Sequence, residues 1–201
     1  FYYSKLIELA EEIHCIDSSF LHLVDRSLTT DNLYFHKLKN TFTTGANLKL
    51  LKNYNLNNGF EFLWWEEIIF DNTKFIFTPA QHWSARGLRD RNKSLWGSWF
   101  IKNEDKNIFH AGDTGYSEDF IEIRNRLGAV DFAMIPIGAY DPEWFMSYSH
   151  VNPEEALNIA KDLDAKISIG MHWGTFILTD EQVLEPRERL TKISNHNNIN
   201  F

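Results

Sequence analysis

Three apolar stretches of this chain each run into a side chain that can bind a metal ion. "KFIFTPAQHW" ends at His82, "NIFHAGDTG" at Asp113 and "AKISIGMHWG" at His172. Imidazole nitrogen and carboxylate oxygen are the usual donors to zinc and related divalent ions. A carboxylate has two oxygens, so Asp113 can bridge two ions, and Gly112 and Gly115 leave room beside it for backbone or ligand. Each residue alone also has an ordinary reading. A histidine near a strand end commonly serves packing, and Asp113 can bond its own backbone in an Asx turn. Recurrence at three strand ends is what favours a site, while His110 at the strand end reads as structural. His, Asp and His include no nucleophile of the serine or cysteine kind. Cys15, the single cysteine, has no base beside it in sequence. The basic stretch "SARGLRDRNKS", with Arg86, Arg89, Arg91 and Lys93, follows His82 closely. It reads either as a solvated loop or as a rim that meets phosphate.

The elements that must position these residues can be read from pattern. "FEFLWWEEIIF" and "KFIFTP" read as strands separated by "DNT". "SLWGSWFIKNEDKNIFHAG" reads as a hairpin with "NEDKN" at its tip. "SEDFIEIRNRLG" reads as an amphipathic helix capped by Ser117 and ended by Gly128. "VDFAMIPIGA" and "AKISIGMHWG" are near-continuous apolar runs, as buried strands are. "NPEEALNIAKDLD" reads as a helix, with Asn152 as cap, Pro153 in the first turn and two glutamates at the positive end of its dipole. A last helix starts or breaks at Pro186. Strands alternating with helices predict an α/β arrangement, and in layered α/β folds ligands gather beyond strand ends, where loops converge. Residues 1–58 are different: a helical start, "YYSKLIELAEEI", then short apolar pieces mixed with Thr and Asn. The division expected is an N-terminal segment over 1–58, helical and irregular, and a well-patterned region over 59–201.

At 201 residues the chain is long enough for a real core, and its 43% hydrophobic and 15% aromatic content is that of a globular protein. The net charge of -8 argues against nucleic acid as a partner, since phosphate backbones need a basic face. One cysteine allows no disulfide within the chain, which suits an intracellular, reducing compartment. No apolar run reaches about 18 residues, so no spanning helix is expected.

Four stretches, "TPAQHWSARGLRDRNKSLWGSW", "HAGDTGYS", "IPIGAYDPEWFMSYSHVNPEEA" and "MHWGTF", occur in one order and spacing that carries a resemblance. The chain resembles the metallo-β-lactamase-fold hydrolases, and within them the N-acylphosphatidylethanolamine-hydrolysing phospholipase D family, from about Leu63 to Pro186. The resemblance implies an α/β fold of the αβ/βα sandwich type, with residues 59–201 as the C-terminal half of that domain and the first half truncated or degenerate. It implies a two-metal site, usually zinc, with His82 and His172 as ligands of different ions and Asp113 as the bridging carboxylate. His150, in "SYSHVNPEEA", matches a histidine that acts on the substrate; Ser149 stands where the family commonly has glutamine. The implied reaction is phosphodiester hydrolysis, giving an N-acylethanolamine and phosphatidic acid. Arg86 and Arg89 are candidates to meet the phosphate, and Tyr140 and Trp144, in "GAYDPEWFMSY", to meet the lipid. A phospholipid substrate, peripheral membrane contact or a cytoplasmic location, and a homodimer follow from the family alone.

One departure matters. The family's HxHxDH signature, which supplies most of its metal ligands, is absent. Its nearest counterpart, "RSLTTDNL" at 26–33, keeps Asp31 but places Ser27, Thr29 and Asn32 where histidines belong. Hydroxyls and amides are poor zinc donors beside imidazole. His22, Asp25 and His36 match no ligand spacing. His82, Asp113 and His172 shared between two ions leave each with about two protein donors, where a catalytic zinc usually has three. The expectation is weak metal binding by the chain as given, which is then either part of a zinc-dependent lipid phosphodiesterase or a catalytically inactive, lipid-binding or interaction homologue. A lactonase on the same fold is the third reading, disfavoured by "PIGAYDPEWFM".

Overall fold

A computed structural model of the chain describes residues 41–53, 59–70, 72–174, 177–197 and 199–201. The chain divides into two compact units, residues 1–62 and 63–201. The described part of the first holds β1 (Thr41–Thr44), α1 (Leu48–Asn53) and β2 (Gly59–Phe62), with β1 and β2 paired in parallel. The sequence expectation of one strand over "FEFLWWEEIIF" is corrected here. The stretch is split between β2 and β3 (Glu67–Phe70), because Leu63 to Glu66 close a turn. The Glu66 N–H donates to the Leu63 carbonyl at 3.1 Å, the Leu63 N–H donates to the Glu66 carboxylate at 2.7 Å, and Trp65 takes φ +73.

The second unit is built on a six-stranded sheet in the order β3, β4 (Thr73–Thr78), β5 (Ser98–Lys102), β6 (Asn107–His110), β7 (Phe132–Pro136) and β8 (Ile167–Met171). The predicted hairpin is β5 and β6, paired antiparallel from Trp99 with His110 to Lys102 with Asn107. β6, β7 and β8 are parallel, and β4 and β6 are each antiparallel to β5. β4, β6, β7 and β8 therefore point the same way, and the segments leaving them emerge at one end of the sheet.

Three helices serve this sheet: α2 (Asp119–Leu127), α4 (Pro153–Asp162) and α5 (Glu185–Asn197), with a short α3 (Glu143–Met146) between β7 and α4. The register aligns Ile76, Phe100, Phe109 and Ala133 on one face of the sheet, and these join Phe120 and Ile123 of α2 and Ala156, Ile159 and Ala160 of α4 in the core. Full burial of such side chains is worth roughly 1.5–3 kcal/mol each, which anchors the strand ends on a rigid layer. α4 begins in a complete capping box: the Asn152 side chain accepts the Glu155 N–H, and the Glu155 carboxylate accepts the Asn152 N–H. α2 differs from expectation. Its cap is Glu118, without a side-chain bond; Ser117 lies one residue before it, its hydroxyl donating to the Asp119 carboxylate at 2.8 Å and accepting the Asp119 N–H at 3.4 Å. Gly128 ends α2 as predicted, at φ +100 with its N–H on the Arg124 carbonyl. Among the described residues no helix is long and apolar enough to cross a membrane.

Candidate active site at the strand ends

Three of the emerging segments are tied to one another beside the sheet. The Gly115 N–H donates to the Gln81 carbonyl at 2.7 Å, and the Gln81 N–H reaches Thr114 Oγ1 at 3.1 Å. The Gln81 side chain donates to the Tyr148 carbonyl at 3.0 Å, and the Val151 N–H donates to the Thr114 carbonyl at 3.0 Å. Gly115 has to be glycine here, since a Cβ would collide with the Tyr148 carbonyl. These ties hold the backbone on either side of His82, Asp113 and His150. Gln81 is a residue that sequence reasoning missed: its neighbour His82 drew attention, and nothing in "PAQHW" marks the amide as a strut.

The four expected residues come together. Asp113 Oδ1 lies 2.5 Å from His172 Nδ1. The His82 and His150 rings meet edge to face with centroids 5.1 Å apart. His82 stacks on Trp83 and its Nδ1 lies 2.6 Å from the Trp83 carbonyl. A carbonyl only accepts, so Nδ1 carries a proton, and in the neutral ring the lone pair is then on Nε2. That Nε2 is buried and makes no hydrogen bond among the described residues.

The charges at the centre follow from this packing. Burial alone would push the Asp113 carboxyl up, but the hydrogen bond from His172 and the nearby imidazoles of His172, His150 and His82 outweigh it and hold the group at about 2. Burial pushes His150 down, against the pull of Asp113, with His82 and His172 adding to the fall and Glu181 opposing it. A buried imidazole of this kind keeps one N–H and one lone pair at neutral pH.

The remaining candidates are placed differently. Arg86 and Arg89 are exposed. Arg86 donates to Ser94 Oγ at 2.9 Å, and the Arg86 and Gly87 N–H groups bind the Asp90 carboxylate, so this basic stretch is a turn closed on itself. Arg91 lies 5.1 Å from the Trp83 ring that carries His82. Trp144 is 85% exposed, with Phe145 and Tyr148 also open to solvent. Tyr140 corrects the expectation of a lipid contact. Its ring is 2% exposed, its hydroxyl donates to Glu185 at 2.9 Å, and the Arg189 guanidinium lies over it at 5.2 Å. A tyrosine sealed between two helix side chains packs the loop and has no face left for substrate. Cys15, His22, Asp25, the 26–33 stretch with Asp31, and His36 lie outside the described residues.

The donors suit a divalent ion in kind. A histidine whose Nδ1–H is held by a backbone carbonyl and whose Nε2 is free is the usual state of a metal ligand, and His82 is in that state. They do not suffice in number. Among the described residues, no group of three or more His, Cys, Asp or Glu side chains is disposed to hold a metal ion, and Asp113 and His172 satisfy each other.

Residues 34–173 match the sequence model of the family described as the Beta-lactamase superfamily domain. The chain is 44% identical over 157 residues to the mitochondrial N-acyl-phosphatidylethanolamine-hydrolyzing phospholipase D of Saccharomyces cerevisiae, a match over 73% of this chain and 34% of that protein. It is 46% identical over 117 residues to N-acyl-phosphatidylethanolamine-hydrolyzing phospholipase D 1 of Caenorhabditis elegans, over 57% of this chain and 33% of the relative. The matched region thus spans about a third of these relatives. In fold, the chain is similar to Igni18, a metallo hydrolase of the archaeon Ignicoccus hospitalis, with a TM-score of 0.59 at 20% identity over 88% of this chain and 66% of that one. It is also similar to the isothiocyanate hydrolase from Delia radicum gut bacteria, with a TM-score of 0.62 at 14% identity over 98% and 73%. A family match over well more than half of the chain, on a sheet that gathers His82, Asp113, His150 and His172 at one end, means that this chain belongs to the β-lactamase superfamily and has the metallo-β-lactamase fold, resembling N-acylphosphatidylethanolamine-hydrolysing phospholipase D.

Proposed function

We propose that this chain serves the hydrolysis of N-acylphosphatidylethanolamine to phosphatidic acid and an N-acylethanolamine. The observation that carries the reading is the meeting of His82, Asp113, His150 and His172 in a region 44% identical to a relative of that activity. In this reaction a water oxygen bonds to phosphorus and the bond from phosphorus to the ethanolamine oxygen breaks. The new oxygen stays on the phosphatidic acid, and a proton ends on the departing alcohol. His150 is the group placed to carry that proton, with one ring nitrogen free to accept while the other donates. Asp113 fixes the orientation of His172 through their 2.5 Å contact. His82 presents its unpartnered Nε2 to the same centre.

Zinc is the ion that such donors favour, and it belongs to this proposal together with donors beyond the described residues. So does contact with a membrane surface. Exposed Trp144, Phe145 and Tyr148 follow β7 on the way to His150, and exposed Arg86 and Arg89 follow His82. Aromatic and basic side chains are those that settle at a lipid interface. Homodimerisation is a further part of the reading, checked by light scattering. The second reading is a lipid-binding homologue without catalysis, favoured by the shortage of ligand-type side chains at the centre.

The test is to supply the purified chain with zinc and present vesicles containing N-acylphosphatidylethanolamine, with a simple lactone as a parallel substrate. Mass spectrometry should find both lipid products and no opened lactone. Vesicle binding without product would replace the first reading by the second, and lactone opening would overturn both. Metal analysis of the chain as purified should give well below two zinc ions per protein; two tightly held ions would contradict the donor count above.

A further inference from the structure

One acidic side chain joins the segment after β8 to the segment after β7. Glu181 Oε1 accepts the Ala139 N–H at 2.7 Å, and Oε2 accepts the Asp141 N–H at 3.1 Å. Thr179 Oγ1 donates to the same Oε1 at 2.8 Å, which aims the carboxylate. The Asp180 N–H returns to the Asp141 carbonyl at 3.2 Å.

The backbone held by these bonds is unusual. Ala139 sits at φ +64, a left-handed conformation that residues other than Gly, Asn and Asp seldom adopt. Its own N–H and that of Asp141 both point at Glu181. Hydrogen bonds to an ionised acceptor are the strong kind, and they keep the chain turned at this point.

The turn lies against His172 and leads to His150, two of the three histidines that the proposed function uses. Upstream of Ala139, Gly138 lies against the His172 carbonyl and the Trp173 backbone so closely that a Cβ would collide. His172 itself is at φ +58. Downstream, Asp141 leads into α3. The Pro142 carbonyl accepts the Phe145 and Met146 N–H groups, and the Met146 carbonyl accepts the His150 N–H at 2.9 Å. The path from Glu181 to each histidine is therefore short and made of backbone.

We propose that Glu181 is a positioning residue that sets His150 and His172 relative to each other. It touches neither substrate nor the reacting atoms. The assignment rests on the hydrolase reading for its purpose, and on the loop geometry alone for its physical effect.

The experiment uses the chain labelled with nitrogen-15, at one fixed pH, as wild type, Glu181→Ala and Glu181→Gln. Glu181→Ala should speed hydrogen exchange at the Ala139 and Asp141 amides about tenfold, as fits the loss of bonds to a charged acceptor. It should also move the imidazole nitrogen signals of His150 and His172, while the Ile101 and Ile108 amides of the β5–β6 hairpin keep theirs. Glu181→Gln retains the volume and one acceptor oxygen and should fall in between; it also serves if the alanine variant does not fold. Where the wild type hydrolyses the lipid, kcat should fall by about tenfold, since the reacting groups move. Unmoved imidazole signals in a folded variant would overturn the proposal. A wild type that hydrolyses nothing would sink the hydrolase reading instead, and the imidazole signals would still decide the role of Glu181.

Discussion

Where β4, β6, β7 and β8 finish, loops are pressed together: Cβ atoms at Gly97, Gly115 and Gly138 would strike backbone, and Ala139 and His172 are held at positive φ. The opposite end of the same sheet carries the β5–β6 turn and the entries to β7 and β8. Positive φ occurs there too, but at Gly128, Asn72 and Asp164, residue types that tolerate it. Its charges have single exposed partners, as in Asp131 with Lys166 at 2.7 Å, whereas Asp113 has three imidazoles near it, those of His172, His150 and His82. One end is thus shaped by what its residues prefer, and the other holds residues against preference. Strain and clustered titratable groups of that kind gather where a protein does chemistry.

The contrast breaks most visibly at two glycines. Gly138→Ala drives a Cβ into the His172 carbonyl and Trp173, so it should destabilise the chain by roughly 1–3 kcal/mol, the range for overpacking. Gly128→Ala meets only Asn107 Nδ2, at 3.8 Å, and its penalty comes from φ +100 alone. It should cost about 1 kcal/mol. Urea midpoints at constant slope measure both, and equal losses would show that the crowding at the site end is ordinary. The helix starts sharpen the same point on a smaller scale. Asn152→Ala removes the capping box that follows His150 and should cost about 1 kcal/mol. Glu118→Ala, at a cap with no side-chain bond, should change the midpoint by no more than a few tenths of a kcal/mol.

The two ends also differ in what acid does to them. Asp113 ionises at about 2 in the folded chain and near 4 when unfolded. A carboxyl depressed by folding contributes stability that is full above about pH 4 and is lost as the pH falls toward 2. Asp113→Asn should therefore flatten the acid limb of the stability profile across that window. Asp131 is lowered as well, chiefly by its hydrogen bond from Lys166, but that lysine is 72% exposed, so water and salt screen the attraction. Asp131→Asn should leave the limb in place. A limb that survives Asp113→Asn would mean that the carboxylate among the histidines is not what acid titrates.

How much of this could be read from sequence follows the same division. β4 to β8, the β5–β6 hairpin, the Asn152 cap and the Gly128 stop were legible, because period, turn residues and capping chemistry are local. His82, Asp113 and His172 stood out because three apolar runs ended in donor side chains. Ser117 misled: its hydroxyl suits a cap, but the helix begins at Asp119 and the cap position falls on Glu118. Tyr140 misled because an aromatic in a loop looks available, and only the distant Glu185 and Arg189 close over it. Gln81 and Glu181 were invisible. Each bonds the backbone of a segment at least forty positions away, and no local pattern announces that. The turn that splits "FEFLWWEEIIF" was hidden by its apolar composition.

The smallest effect is expected at Lys166. Its ammonium reaches Asp131 at 2.7 Å, a distance that in a buried setting would signal a strong pair. Here the lysine is exposed, so water weakens the attraction, and holding the long side chain in place costs entropy. The same Asp131 carboxylate already accepts the Asn107 N–H at 2.9 Å, which holds the entry to β6 without help from lysine. Lys166→Met keeps the methylene stem and deletes the charge. It should leave the urea midpoint within measurement error in both low and high salt. A midpoint that drops in low salt and recovers in high salt would show that surface charge stabilises this end after all, and would remove the clearest difference between it and the end where Asp113 sits.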